Sequence, residues 1–317
     1  MSEQFSGHDL ESGLLQRVRS WQEVLPPIGL IPALRVTGSP LYVGVWLATT
    51  LIVNALLTIN GVPISVQSLV SIGPPGWLMI ALIIAYPASM TMRAGALFSA
   101  GRDEESFIDN LKWTGARLIT LFLVLALPSV CVLGLSVPLA VLGLFDRLPS
   151  MGDFVSELLA LVFVPLSILI GLVMAGSIVA IPIGWASVSI EKRQDAFDAL
   201  SRGYEYLYRR PVQTSIYLAV CILLAALVGG IAFGVSATGF VIARQVHSLS
   251  SGGENLPFMM SQLLFQLPIA AALCTFFSTF GAAYLLLRRD ANHQEIEDVV
   301  VSEVDRRRNE MPTLKRS

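Results

Sequence analysis

The sequence is poor in charged residues. Only 14% of its 317 residues are Asp, Glu, Lys or Arg, whereas an ordinary soluble domain carries about 25%. A water-soluble fold with 54% hydrophobic residues and so few charges would expose large apolar patches. Intrinsic disorder is excluded for most of the chain, because disorder requires low hydrophobicity and high charge. The net charge of -2 also argues against a nucleic-acid partner. The remaining class is an integral membrane protein, and we therefore expect the lipid bilayer as a partner.

Residues that carry metal, redox or phosphate chemistry are also scarce. The sequence has three histidines and three cysteines, and the cysteines are too far apart for a CxxC motif. It contains no GxxxxGK[ST] or GxGxxG phosphate loop. No ionisable residue lies near the middle of a predicted span, although such residues usually mark the functional sites of pumps and intramembrane proteases. We therefore expect a protein that is not an enzyme and that holds no cofactor or metal.

Long runs without charge predict an all-α, six-span membrane bundle. A helix needs about 20 apolar residues to cross the hydrocarbon core, and four uncharged runs are each long enough for one span. The 57 uncharged residues between Arg35 and Arg93 hold two spans, separated by turn-forming Asn, Gly and Pro residues. The expected domains are an N-terminal segment 1–40 with an amphipathic helix, a membrane domain 41–287 and a charged tail 288–317. The predicted spans are residues 41–59, 77–100, 117–145, 158–190, 212–243 and 257–287.

The distribution of positive charge predicts the orientation. Nineteen of the 21 basic residues fall on the side of the spans that holds both termini. Lys and Arg accumulate in cytoplasmic loops, so we expect both termini in the cytoplasm and the chain in the plasma (inner) membrane.

A short amphipathic helix is predicted at residues 191–210. Its apolar face carries Phe197, Leu200, Tyr204 and Leu207, and its opposite face is charged, a pattern typical of a helix lying in the membrane interface. A similar, shorter helix with Ile108 on its apolar face is predicted before span 3. With the N-terminal segment, these helices suggest three units, each an interfacial helix followed by two spans.

Small and polar residues within the spans predict helix packing. Gly171 and Gly176 lie in span 4, and Gly230 and Gly234 form a GxxxG motif in span 5. Such residues form packing seams within one bundle or contacts between two chains, and we favour the first. A second group, consisting of Asn54, Gln262 and Gln266, either forms interhelical hydrogen bonds or lines a solute path.

Two segments carry a resemblance to known membrane modules. The residues Ala196–Arg202 lead into Arg210-Pro211 and a span, and Tyr284–Asp290 leave the last span. This arrangement is similar to uncharacterised bacterial multipass proteins, to membrane domains of the glycerophosphoryl diester phosphodiesterase type and to Yip-like six-helix modules. The resemblance implies a six-helix module, but no phosphodiesterase activity, because the sequence contains no such catalytic domain.

These observations favour a non-enzymatic membrane component: a scaffold, a membrane-organising protein or an accessory subunit of a membrane complex. A membrane or cytoplasmic protein partner would contact residues 191–210 and 288–317. The alternative is a permease for a neutral or lipid-like solute that uses Asn54, Gln262 and Gln266. The sequence leaves the oligomeric state open.

Overall fold

The computed structural model describes residues 26–59, 74–102, 106–145, 152–192, 195–251 and 258–292. In these ranges the chain is helical and has no strand. A 3₁₀ helix, Pro26–Gly38, precedes the first α-helix. The α-helices are α1 (Pro40–Ile59), α2 (Pro74–Ser99), α3 (Phe107–Gly115), α4 (Leu118–Phe145), α5 (Gly152–Ile190), α6 (Ala196–Arg209), α7 (Pro211–Ser251) and α8 (Phe258–Asn292).

Six of these helices are long and apolar enough to cross a membrane: α1, α2, α4, α5, α7 and α8. The predicted all-α polytopic bundle is therefore confirmed, and the chain is a multi-pass membrane protein. Most boundaries agree with the predicted spans within a few residues, but α5 begins six residues earlier and α7 ends eight residues later. We ended each predicted span at a charged residue, whereas a helix can continue beyond the hydrocarbon core into the headgroup region. With 39 and 41 residues, α5 and α7 are about 60 Å long.

The long helices are continuous despite their prolines. Pro165 and Pro182 lie inside α5, and Pro268 lies inside α8. Helix α2 ends in a C-terminal cap in which Gly101 adopts a positive φ of 68° and the Arg102 N–H donates to the Leu97 carbonyl. That left-handed conformation favours glycine and stops the helix at a defined residue.

Helix α8 lies at the centre of the bundle. It contacts α1, α2, α5, α7 and the 3₁₀ helix, and 78% of its most apolar stretch is buried. The closest approach is to α2: a Cβ placed at Gly95 would lie 2.0 Å from the Ser278 carbonyl oxygen, and one at Gly281 would lie 2.0 Å from the Met92 carbonyl oxygen. Two glycines thus let the backbones of α2 and α8 touch.

Positive charge gathers at one end of the bundle, where α1, α4 and α7 begin and α2, α5 and α8 end. We call it the basic end. Every described Lys or Arg except Arg244 lies at or beside it. The buried core is also concentrated there, in the second halves of α2, α5 and α8 and the first turns of α4 and α7. The far halves of the peripheral spans expose apolar side chains such as Leu133, Ile168 and Phe233.

The short helices α3 and α6 form where amphipathic segments were predicted, but each packs against the spans. Buried residues of α3 include Asn110 and Thr114, whereas Ile108, which we placed on its apolar face, is 56% exposed. The predicted face was wrong at Ile108, because the neighbouring spans accept the polar side of α3, although Leu111 of the same predicted face packs against the core. The N-terminal amphipathic helix predicted within residues 1–40 falls mostly on residues 1–25, outside the described ranges.

Candidate functional site

The C-terminal end of α5 is held by donors from three other segments. The last carbonyls of a helix lack partners within the helix. Here the Arg93 guanidinium of α2 donates to the Ser189 carbonyl at 3.0 Å, and the Trp113 indole N–H of α3 donates to the same oxygen at 2.9 Å. The Arg117 guanidinium, just before α4, donates to the Val188 carbonyl at 2.9 Å. These positive charges complement the negative end of the α5 dipole.

Arg93 is completely buried, with 0% of its surface exposed. The sequence placed it at the end of a span, where an arginine normally extends toward water. Instead, α3 folds over it, and its guanidinium lies 4.0 Å from the centroid of the Trp113 ring. The Arg117 guanidinium lies 3.7 Å from the same centroid. Burial, followed by the charge of Arg93, lowers the pKa of Arg117 to about 10, so Arg117 remains cationic at neutral pH.

A second polar network joins α5, α6 and α8. The carboxylate of Glu191 accepts from the Arg202 guanidinium at 2.6 Å and from the Tyr284 hydroxyl at 2.5 Å. Arg202 also contacts Asp198 at 2.8 Å. Burial alone would lower the pKa of Arg202, but the neighbouring carboxylates outweigh it and raise that pKa. The network therefore fastens α6 to the ends of two spans.

Helix α6 packs along α5 through its small residues. A Cβ at Gly203 would lie 2.5 Å from the Ala180 carbonyl oxygen, and one at Gly176 would lie 2.5 Å from the Tyr204 ring. The Tyr204 hydroxyl lies 2.8 Å from that of Ser177. Gly176 is therefore a packing residue, as its position in the sequence suggested.

The four residues predicted for the apolar face of α6 have different environments. Leu200 is buried, Tyr204 and Leu207 are half-buried, and Phe197 is 68% exposed. The buried face is instead centred on alanine and glycine, because small residues allow α5 to come close. Phe197 and Ile108 occupy matching positions in the two short helices, and both point away from the bundle.

Three of the predicted packing glycines do not pack within the chain. Gly171, Gly230 and Gly234 are exposed, and no atom of the described residues lies within 4 Å of a Cβ placed on them. The prediction of packing within the bundle was wrong for these residues. On α7 the neighbouring Gly229 faces α8 instead, where a Cβ would lie 2.9 Å from that of Ala272, and on α5 Gly171 lies on an exposed face.

The predicted polar residues of the spans come together in part. The Asn54 amide of α1 donates to the Gln262 side-chain oxygen of α8 at 3.0 Å, and Gln266, one turn further along α8, is buried. The Asn54 side-chain oxygen is buried and has no hydrogen-bond partner among the described residues.

Two residues that sequence reasoning missed are Asn110 and Thr114. The Asn110 amide bridges α1 and α2, donating to the Tyr42 hydroxyl and to the Met90 carbonyl, both at 3.0 Å. A polar residue four positions before another on a helix shares its face, so their spacing was a usable signal. We did not single out this pair, because the helices that face it cannot be identified from the sequence.

Taken together, the basic end is a set of charged and aromatic anchors on helix ends. In the described ranges, no group of three or more His, Cys, Asp or Glu residues could hold a metal ion. No protein-family model, curated protein or solved structure matches the chain. The resemblance to six-helix modules stays a prediction.

Proposed function

We propose that this protein is a non-enzymatic membrane component that organises partner proteins: a scaffold, a membrane-organising protein or an accessory subunit. The observation that carries the proposal is the uneven burial of its spans. Of the most apolar stretch of each span, 78% is buried in α8 but only 11% in α5 and in α7. Two helices of about 60 Å thus offer most of their apolar surface to neighbours.

The structure of the basic end is a second argument for the same proposal. Its anchors hold α3 and α6 against the span ends, so the exposed sides of these helices form a fixed surface rather than mobile loops. By the positive-inside rule this surface faces the cytoplasm of a plasma (inner) membrane. Partners would contact α6 and the segment 288–317, of which residues 293–317 lie outside the described ranges.

Exposed glycine and alanine on α5 and α7 add a reason to expect partner spans. Lipid chains are as apolar as leucine, so spans associate through close backbone approach at small residues. Gly171 and Ala175 on α5, and Gly230 and Gly234 on α7, are exposed and remain available for such an approach.

Photo-crosslinking in intact membranes tests the proposal. A benzophenone side chain would replace Ile168 on α5 or Phe233 on α7, with Leu133 on α4 as the control. The three residues are similarly exposed, at 65%, 57% and 67%. We expect discrete protein adducts from α5 and α7 but only lipid adducts from the control. Lipid adducts at all three positions would contradict the partner-binding role.

The permease alternative has one observation in its favour, the buried Asn54 oxygen without a described partner. An unsatisfied acceptor between two spans is costly unless a solute or water meets it. Proteoliposomes loaded with glycerol or labelled phospholipid would detect transport. The permease proposal expects Asn54→Leu to abolish it and Thr58→Val, one turn further along α1, to leave it unchanged.

A further inference from the structure

The corner where α6 meets α7 combines a basic cleft with an apolar groove. The cleft, of about 70 Å³, is lined by Glu205, Tyr206, Arg209 and Arg210. Directly after it in the chain lies a shallow, wide-open groove on α7, lined by Pro211, Val212, Ser215, Ile216 and Ala219. A charged cleft followed along the chain by an apolar groove at the start of a span has the order of polarity of a phospholipid, a charged headgroup and then an acyl chain.

The charge balance of this corner is positive. Arg209 is 78% exposed and pairs with Glu205 at 2.6 Å, while Arg210 is exposed and contacts Gln213. The end of α8 adds Arg288, whose charge acts on Tyr206, together with the neighbouring pair Arg289 and Asp290. Arg202 and Glu191 also act on Tyr206, so five arginines and three carboxylates surround this corner, and the excess of positive charge favours a negatively charged headgroup.

The groove follows one face of α7. Its residues Val212, Ser215, Ile216 and Ala219 have the i, i+3, i+4, i+7 spacing of a helical stripe. Gln213 and Tyr217, on another face, bond to Asp290 of α8, so the groove faces away from the bundle. Exposed Leu223 extends the stripe to about 18 Å from Pro211, slightly more than the roughly 15 Å of hydrocarbon in one leaflet.

We propose that this corner is a binding site for one anionic phospholipid, whose phosphate lies on Arg209 and Arg210 and whose acyl chain lies in the Val212–Ala219 groove. Guanidinium groups bind phosphate through charge-assisted, often paired hydrogen bonds. The site requires only that α7 enters the bilayer at Pro211, and it does not depend on a scaffold role.

Lipid retention measured by native mass spectrometry tests this site. The full-length protein in neutral detergent would be titrated with phosphatidylglycerol or with phosphatidylcholine of the same chains. We expect preferential retention of one phosphatidylglycerol. The double variant Arg209→Gln/Arg210→Gln should weaken that retention about thirtyfold, since each basic residue near an anionic lipid contributes roughly fivefold. The control Lys112→Gln/Lys192→Gln, which removes two other exposed charges from the basic end, should change it less than about twofold.

The groove is tested separately. Ala219→Trp should abolish retention of both lipids, whereas Gly234→Trp, on an open face of the same helix, should preserve it.

Equal retention of the two lipids, or equal losses in the arginine and lysine variants, would overturn the proposed headgroup site. Displacement of the lipid by excess inorganic phosphate would show that phosphate alone is recognised and would overturn the acyl-chain site. A change in subunit number on Ala219→Trp would show a protein interface in place of a lipid site.

Discussion

Replacing Gly281 by alanine should force α2 and α8 apart at the point where their backbones touch. The added Cβ would lie 2.0 Å from the Met92 carbonyl oxygen, and ordinary contact begins at 3.4 Å. The two backbones must therefore separate by about 1.4 Å. A gap of 0.5–1 Å already forfeits about a quarter to a half of the dispersion energy of the atoms along a seam.

The expected cost is about 3 kcal/mol, at the upper end of overpacking effects, because the obstructing atom belongs to a backbone and cannot rotate away. With an unfolding entropy of about 2.1 cal/mol/K per residue, a change of this size should lower the unfolding temperature of the 317-residue chain by about 4–5 °C. Gly230→Ala is the matched control: nothing lies within 4 Å of its Cβ, and alanine has the higher helix propensity by about 1 kcal/mol. The same substitution should thus be neutral or stabilising on α7.

The protein carries its own reporter for this measurement. Cys221 and Cys274 are buried, whereas Cys131 is exposed. After Cys131 is blocked, the reaction of the other thiols with a fluorescent maleimide on heating records the opening of the core. An unchanged unfolding temperature for Gly281→Ala would show that α2 and α8 are not in backbone contact. The partner variant Gly95→Ala should add little to Gly281→Ala, because either one alone separates the helices.

Two further predictions concern the anchors of the basic end. Arg93→Met should destabilise the protein by about 1.5–3 kcal/mol, because the Ser189 carbonyl loses its charged donor and keeps only the Trp113 N–H. Arg209→Met, at an exposed site, is the control, and equal unfolding temperatures would refute the role of Arg93. A double-mutant cycle on Glu191 and Arg202 should give a coupling energy above about 1 kcal/mol. The exposed pair Glu205 and Arg209 should give less than about 0.5 kcal/mol, and the same value for both pairs would contradict the partly buried network.

The number and position of the spans could be predicted because placing a charged side chain in hydrocarbon costs much free energy. A long run without charged residues therefore identifies a span. Which side of each span packs could not be predicted. Residues around Gly229 and Gly230 are apolar on all sides, and lipid accepts any of those faces as well as a protein core does. A GxxxG motif therefore did not reveal that the rotation of α7 turns Gly229 toward α8 and exposes its neighbour.

The anchors were missed for a different reason. Arg93 lies at the end of a span, where an arginine can reach water by extending along the helix. Its burial depends on Trp113, which follows after a connecting segment and arrives on the separate helix α3. Likewise, the Glu191–Tyr284 contact joins residues 93 positions apart, and no local pattern in either segment indicates the other.

The position of α8 in the chain constrains how the protein is assembled. The helix around which four other spans pack is synthesised after all of them. At about 5–20 residues per second, the time between the completion of α1 and that of α8 is roughly 10–50 s. During that interval, Gly95 and Asn54 lack the α8 neighbours that they contact in the folded chain, Ser278 and Gln262. The early spans must therefore remain loosely associated until α8 arrives, and their lifetime in that state determines how much of the protein reaches its folded form.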